Sequence, residues 1–111
     1  MFEKNLQIGY LLDFYGDILP ERKRSVMEMY YNEDLSLSEI ATEIDISRQG
    51  VRDIIKKTEE ELYFYEEKLG LAEKLRYAEA YAKKLADEAA ELSLPEGFLR
   101  DLRELTNIIK E

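Results

Sequence analysis

The residues best suited to binding chemistry lie in one short basic stretch. They are Ser47, Arg48, Gln49, Arg52, Lys56 and Lys57. An Arg side chain can bond guanine and a Gln side chain can bond adenine, each through two hydrogen bonds, while Lys and Ser can contact phosphate. The stretch therefore predicts contact with double-stranded DNA. The alternative is that its cations form an ordinary solvated helix face.

A second basic run consists of Arg22, Lys23 and Arg24. The preceding Leu19-Pro20-Glu21 is typical of a helix start, so these cations would oppose the positive end of the helix dipole at a small cost in stability. Contact between these cations and a DNA phosphate would explain why they occur at a helix start. A solvated run of charges is the alternative.

The sequence offers little for catalysis. Its 111 residues include no His and no Cys, which excludes a Ser-His-Asp triad, a Cys-His pair, a disulfide and a Cys/His zinc site. The five Gly residues are scattered and form no phosphate loop. We therefore expect no enzyme, catalytic residue, metal, cofactor or small-molecule substrate.

Two further groups of side chains have a functional and a structural interpretation. Glu59, Glu60, Glu61, Glu66 and Glu67 follow helical spacing, and we expect them to face solvent rather than to serve a reaction or a magnesium ion. Aromatic residues that could stack on single-stranded bases, or pack beneath a helix, are Tyr30, Tyr31, Tyr63, Phe64 and Tyr65.

The composition indicates a chain that folds in water. Sixteen basic and 25 acidic residues give a formal charge of -9, and 45% of the residues are hydrophobic. Asp13 and Asp17 interrupt the apolar N-terminal stretch, so we expect neither a signal peptide nor membrane insertion, and a cytoplasmic location. The acidic total opposes binding to a polyanion, whereas the two basic runs favour it locally.

Helices must position these residues. Only two prolines occur and no alternating β-branched run is present, which favours an all-α fold. Apolar spacing predicts a first helix from about Glu3 to Tyr15, ended by Gly16 and Asp17, and a second from the Pro20 turn to about Asn32.

The next stretch predicts a helix-turn-helix. Ser36 and Glu39 have the spacing of a capping box, so a third helix should begin at Leu37. Asp45 follows Ile44 where the chain must turn through a left-handed conformation, and Ser47 is the expected N-cap of a fourth helix. Two capped helices separated by three residues make a helix-turn-helix.

The C-terminal half has a heptad-type apolar seam. Its members are Leu71, Leu75, Ala78, Ala82, Leu85, Ala89 and Leu92. Pro95 then starts a short amphipathic helix, which we expect to fold back on the long helix or on a second subunit. We predict a helix-turn-helix domain over 1–62 and a helical extension over 63–111, with a homodimer formed through the seam.

Two resemblances extend this interpretation. The stretch from Leu19 to Leu62 resembles region four of the bacterial sigma factors. The motifs DFYGDIL, SRQGV and TEEELYFYEEKLGL, within about Leu6 to Leu75, are similar to the YlxM family of small bacterial proteins. The sigma-like resemblance implies that Ser47, Arg48, Gln49 and Arg52 occupy recognition positions, with Lys56 nearer the DNA backbone.

The YlxM resemblance implies a DNA-binding regulator linked to the signal recognition particle pathway, because family genes lie beside those for its GTPase components. Together with the apolar patterns, the sigma-like resemblance leads us to expect a sigma-region-four-like helix-turn-helix domain followed by a long helix and a short terminal one. The alternative function is a protein-interaction adaptor that does not bind DNA and uses its acidic surface and long helix to bind a signal recognition particle component.

Overall fold

A computed structural model describes residues 5–110 of the chain, and the regular elements of this part are all helical. They are α1 (Leu6–Tyr15), α2 (Glu21–Tyr31), α3 (Leu37–Ile44), α4 (Arg48–Leu69), α5 (Leu71–Glu91) and α6 (Glu96–Lys110), with a 3-10 turn at Gly16–Ile18. No helix within residues 5–110 is long and apolar enough to cross a membrane. The predicted all-α fold is confirmed.

The helix boundaries follow local signals. Asn5 caps α1 by accepting the N–H of Gln7 at 2.8 Å, whereas Glu3, the predicted start, lies outside the described residues. Helix α2 begins directly after Pro20, as predicted, and ends one residue before Asn32. A proline is tolerated at a helix start because the first N–H groups have no intrahelical partner.

The chain forms two compact units, Met1–Leu69 and Gly70–Glu111. In the first unit α4 contacts α1, α2 and α3. Side chains from all four helices fill its core, and those that are almost fully buried are Ile8, Leu11, Val26, Met27, Ile40, Val51, Ile55, Thr58 and Leu62. The buried Thr58 hydroxyl donates to the Ile54 carbonyl at 2.7 Å, which satisfies the polar group inside the core.

Helix α4 extends past residue 62, the predicted end of the helix-turn-helix domain. It continues to Leu69 and ends at Gly70, whose φ of 62° belongs to the left-handed region. Glycine adopts that conformation at little cost because it has no Cβ. Gly70 therefore separates α4 from α5 and divides the C-terminal helical segment at that point.

The second unit consists of α5 and α6, which pack against each other. The last helix thus folds back on α5 of its own chain, one of the two predicted arrangements. Ala82, Ala89 and Leu102 are buried, whereas Leu85 and Leu92 of the predicted seam are exposed. Small side chains at the buried positions let two helices approach closely.

Candidate nucleic-acid interface

The start of α3 has the predicted capping geometry. Ser36 Oγ accepts the Glu39 N–H at 3.1 Å, and the Glu39 carboxylate accepts the Ser36 N–H at 3.0 Å. The N–H of Ser36 is the main cause that lowers the pKa of Glu39, because it stabilises the ionised carboxylate. This reciprocal capping box begins α3 at Leu37.

A left-handed residue turns the chain from α3 into α4. Asp45 has φ 58° and ψ 50°, a conformation that Asp tolerates better than most non-glycine residues. The Ile46 N–H donates to the Ala41 carbonyl at 3.1 Å, and Ser47 Oγ accepts the Gly50 N–H at 2.9 Å. The cap on α4 was therefore predicted correctly, and three residues separate the two helices.

The predicted DNA-binding residues of α4 lie within its first ten residues, at exposed or half-buried positions. Arg48, Gln49, Lys56 and Lys57 are exposed and Arg52 is half-buried. Val51 and Ile55 are buried in the core, which fixes the rotation of α4 about its axis. A shallow cavity of about 320 Å³ lies between α3 and α4, lined by Leu37, Arg48, Gln49 and Arg52.

Gln49 and Asp53 are joined across one helical turn. Gln49 Nε2 donates to Asp53 Oδ1 at 2.9 Å. Reading adenine through two hydrogen bonds uses the amide oxygen and one of the two amide N–H groups, so Gln49 can keep its other N–H on Asp53 at the same time. A carboxylate at this position can itself accept a hydrogen bond from cytosine.

The second basic run is engaged in ion pairs within the first unit. Lys23 Nζ pairs with the Glu61 carboxylate of α4. Arg24 Nε lies 3.3 Å from Glu28, and this hydrogen bond is the main cause that raises the pKa of Arg24. Such partly exposed pairs contribute little to stability. They nevertheless engage Lys23 and Arg24, two of the three cations of the run, with carboxylates of the same chain.

The structure does not bring Lys23 to the residues at the start of α4. Its partner Glu61 lies 13 residues beyond Arg48 (61 minus 48), which is about 20 Å along a helix at 1.5 Å per residue. Of the run, Arg22 is exposed.

Three of the five carboxylates that were predicted to face solvent accept hydrogen bonds instead. Glu61 accepts from Lys23, Glu66 accepts from the Tyr15 hydroxyl at 2.7 Å, and Glu59 accepts from the Tyr31 hydroxyl. Partial burial and the neighbouring Glu59 raise the pKa of Tyr31, since both disfavour the phenolate. These contacts tie the second half of α4 to α1 and α2.

The aromatic residues do not form one surface. Tyr65 packs against Tyr15 with ring centroids 5.8 Å apart, and Tyr30 lies edge-on to Tyr31. Phe64 is exposed beside Lys68. Within residues 5–110 no three acidic side chains are grouped as a metal site would need.

The sequence matches known proteins over most of its length. The profile of the family UPF0122, described as "Putative helix-turn-helix protein, YlxM / p13 like", matches residues 2–99. UPF0122 proteins of Bacillus cereus strains AH187 and G9842 and of Bacillus anthracis strain A0248 are each 49% identical to it over 85 residues, which is 77% of this chain and 77% of each relative.

Proposed function

Because the chain belongs to the UPF0122 family of YlxM/p13-like helix-turn-helix proteins, we propose that it is a DNA-binding regulatory protein. In this proposal the start of α4 enters the major groove of double-stranded DNA. The observation that carries the proposal is the face of α4 shared by Arg48, Arg52 and Lys56, which successive rotations of about 40° place side by side. Within residues 48–57 the single carboxylate is that of Asp53.

In this proposal some residues contact base edges and others contact the DNA backbone. Arg48 and Gln49 are exposed in the first turn of α4, where a recognition helix meets base edges. Lys56 and Lys57 lie about two turns further along, at a distance suited to the DNA backbone. The first α-helical hydrogen bond of α4 runs from the Val51 N–H to the Ser47 carbonyl at 3.0 Å, so the N–H groups of Arg48 and Gln49 point out of the helix end, where a phosphate binds favourably.

In this proposal Asp53 helps the protein to discriminate between DNA sequences. It repels phosphate, and it holds the amide of Gln49 in the absence of DNA. A site that offers cytosine to Asp53 or adenine to Gln49 would give these side chains hydrogen-bond partners, whereas another base would leave a polar group unpaired. Asp53 therefore lowers affinity for all DNA and favours particular sequences.

The test is fluorescence anisotropy of labelled random duplex DNA, titrated with the protein from about 25 to 200 mM salt. We expect binding that weakens as salt rises. The double variant Arg48→Glu/Arg52→Glu should remove it, because two cations become two repelling carboxylates. Lys83→Glu/Lys84→Glu makes the same charge change on exposed residues of α5 and should bind like the unaltered protein. Absence of binding at the lowest salt would contradict the proposal.

We propose one alternative function, favoured by the acidity of the protein. The chain carries a formal charge of -9, and α3 exposes Glu39 near its start and Glu43 next to the turn. Both carboxylates oppose DNA. The protein would then be an adaptor in the cytoplasm that binds a basic surface of a signal recognition particle component. Pull-down of purified particle components that is unchanged in Arg48→Glu/Arg52→Glu would support the adaptor, whereas loss in that variant would contradict it.

A further inference from the structure

The second unit has an apolar side that its own helices leave uncovered. Six of the exposed large apolar side chains of this unit, 47 to 69% exposed, lie on α5, directly after it or on α6: Tyr81, Leu85, Leu92, Phe98, Leu105 and Ile108. We refer to these six residues as the apolar face. An exposed apolar area of this size usually marks an interaction site.

The six residues lie on the same side of the two-helix unit. Four residues, Leu92 to Pro95, join α5 to α6, and Arg76 near the start of α5 lines the same cavity as Lys110 at the end of α6. The helices are therefore antiparallel. The buried Ala82, Ala89 and Leu102 mark the side on which each helix faces the other. Successive residues of a helix are rotated by about 100° about its axis. Measured from the nearest of these buried residues, every member of the apolar face is rotated by about 40–120° in the same sense. In an antiparallel pair, rotation in the same sense leads to the same side.

The opposite side of the unit is charged. A cavity of about 430 Å³ between α5 and α6 is lined there by Arg76, Lys83 and Lys110, together with Glu79 and small residues. Those residues are rotated in the other sense from Ala82 and Leu102. The unit is thus amphipathic, and Asp101 is an exposed charged residue that is rotated toward the same side as the apolar face.

We propose that a second copy of this chain covers the apolar face, so that two units form a four-helix bundle. Each of the six side chains exposes roughly 100 Å², so the face offers about 600 Å² per copy, most of the ~800 Å² per partner found in stable interfaces. The second unit has two antiparallel helices with one apolar side, which is half of such a bundle.

The charges at the border of the apolar face also favour a second copy. Lys74 near the start of α5 and Glu88 near its end are exposed and are rotated toward this side. A two-fold axis perpendicular to the helices would bring Lys74 of one copy toward Glu88 of the other and vice versa, as a self-complementary interface requires.

This interface differs from the seam predicted from the sequence. Ala82 and Ala89 of the seam are buried in the same chain, while Leu85 and Leu92 are exposed. In the proposed dimer those two leucines act together with Phe98, Leu105 and Ile108 of α6. The proposal does not depend on DNA binding, because it concerns the second unit alone.

The test is the mass of the full chain by size-exclusion chromatography with light scattering, without DNA, at about 100 µM, well above the Kd of a dimer useful in a cell. We expect twice the chain mass of 13.1 kDa. Leu85→Glu should halve the mass with the helical circular dichroism retained. Leu92→Lys, at the most exposed position of the face, is a second variant with little risk to folding. Ala80→Glu places the same charge on an exposed residue of the other side of α5 and should leave the mass unchanged.

Each outcome has a definite meaning. A dimer that only Leu85→Glu and Leu92→Lys dissociate supports the proposal. A mass of 13.1 kDa for the unaltered chain would overturn it and leave the face to a different partner. A dimer that both variants preserve would also overturn it, because the copies would then meet elsewhere. Neither result bears on the salt-dependent DNA titration, so the two proposals fail separately.

Discussion

Replacing Gly50 with Ala would test how the Ser47 cap holds the start of α4. The Gly50 N–H donates to Ser47 Oγ at 2.9 Å, and a Cβ on residue 50 would lie 3.2 Å from the same oxygen and 3.3 Å from Ile46 Cδ1. The substitution therefore strengthens helix propensity and simultaneously displaces the capping hydroxyl.

The two effects on the free energy of unfolding nearly cancel. Ala in place of Gly stabilises a helix by about 1 kcal/mol, and loss of a Ser cap costs about 1 kcal/mol. Gly50→Ala should therefore change the stability by less than ~0.5 kcal/mol. Gly9→Ala in α1 is the matched control, because a Cβ there meets nothing within 4 Å and the full gain of about 1 kcal/mol should appear.

Urea unfolding followed by far-ultraviolet circular dichroism measures both changes. Gly9 and Gly50 belong to the same compact unit, so the same transition reports on both. With Ser47→Ala already present, Gly50→Ala should recover most of its gain, and a double-mutant cycle gives the coupling directly. If Gly50→Ala alone stabilises as much as Gly9→Ala, the Ser47 contact does not hold α4 and the reasoning is refuted.

Three further predictions concern stability. Ile55→Ala should lower the free energy of unfolding by about 2–5 kcal/mol, because Ile55 is fully buried; a urea midpoint close to that of the unaltered protein would contradict this. Gly70→Ala should lower the free energy of unfolding by about 1–2 kcal/mol, because Gly70 has a positive φ and a Cβ there meets nothing within 4 Å. Gly70→Asn should lower it less, since Asn tolerates this conformation better. Thermal unfolding measures both, and equal losses of stability would exclude the positive φ as the cause. The lowered pKa of Glu39 means that its contribution is complete above the pKa of the unfolded chain and is lost as pH falls through the lower folded value. Between about pH 5 and 3 the urea midpoint should therefore fall less in Glu39→Gln than in the unaltered protein; an equal fall would contradict it.

The fold and the family could be predicted because their signals are local. The Ser36 and Glu39 capping box, the Asp45 turn and the Ser47 cap each act within four residues, and the structure reproduces all three. The motifs DFYGDIL, SRQGV and TEEELYFYEEKLGL carried the resemblance to the YlxM family, which the family match confirms. The candidate DNA-binding surface followed from the spacing of Arg48, Gln49 and Arg52 on a helix whose other side is apolar.

Contacts between distant residues could not be predicted in this way. Nothing near Lys23 in the sequence indicates Glu61, 38 residues away, or links Tyr15 to Glu66, 51 residues away. These pairs arise because α1 and α2 both pack on α4, which puts their polar edges beside its second half. The interpretation of Glu59, Glu61 and Glu66 as solvent-facing was wrong for this reason.

The sequence by itself determined where helices begin and turn, because caps, prolines and apolar periods act over one or two helical turns. It also placed the cations on the outer side of α4. Tertiary structure alone decided that Lys23 of the second basic run is paired with Glu61 and which apolar residues remained exposed. Periodicity identifies a helix face but not its neighbour, so only the packing of α6 on α5 shows that Ala82 and Ala89 are covered while Leu85 and Leu92 are left on the surface.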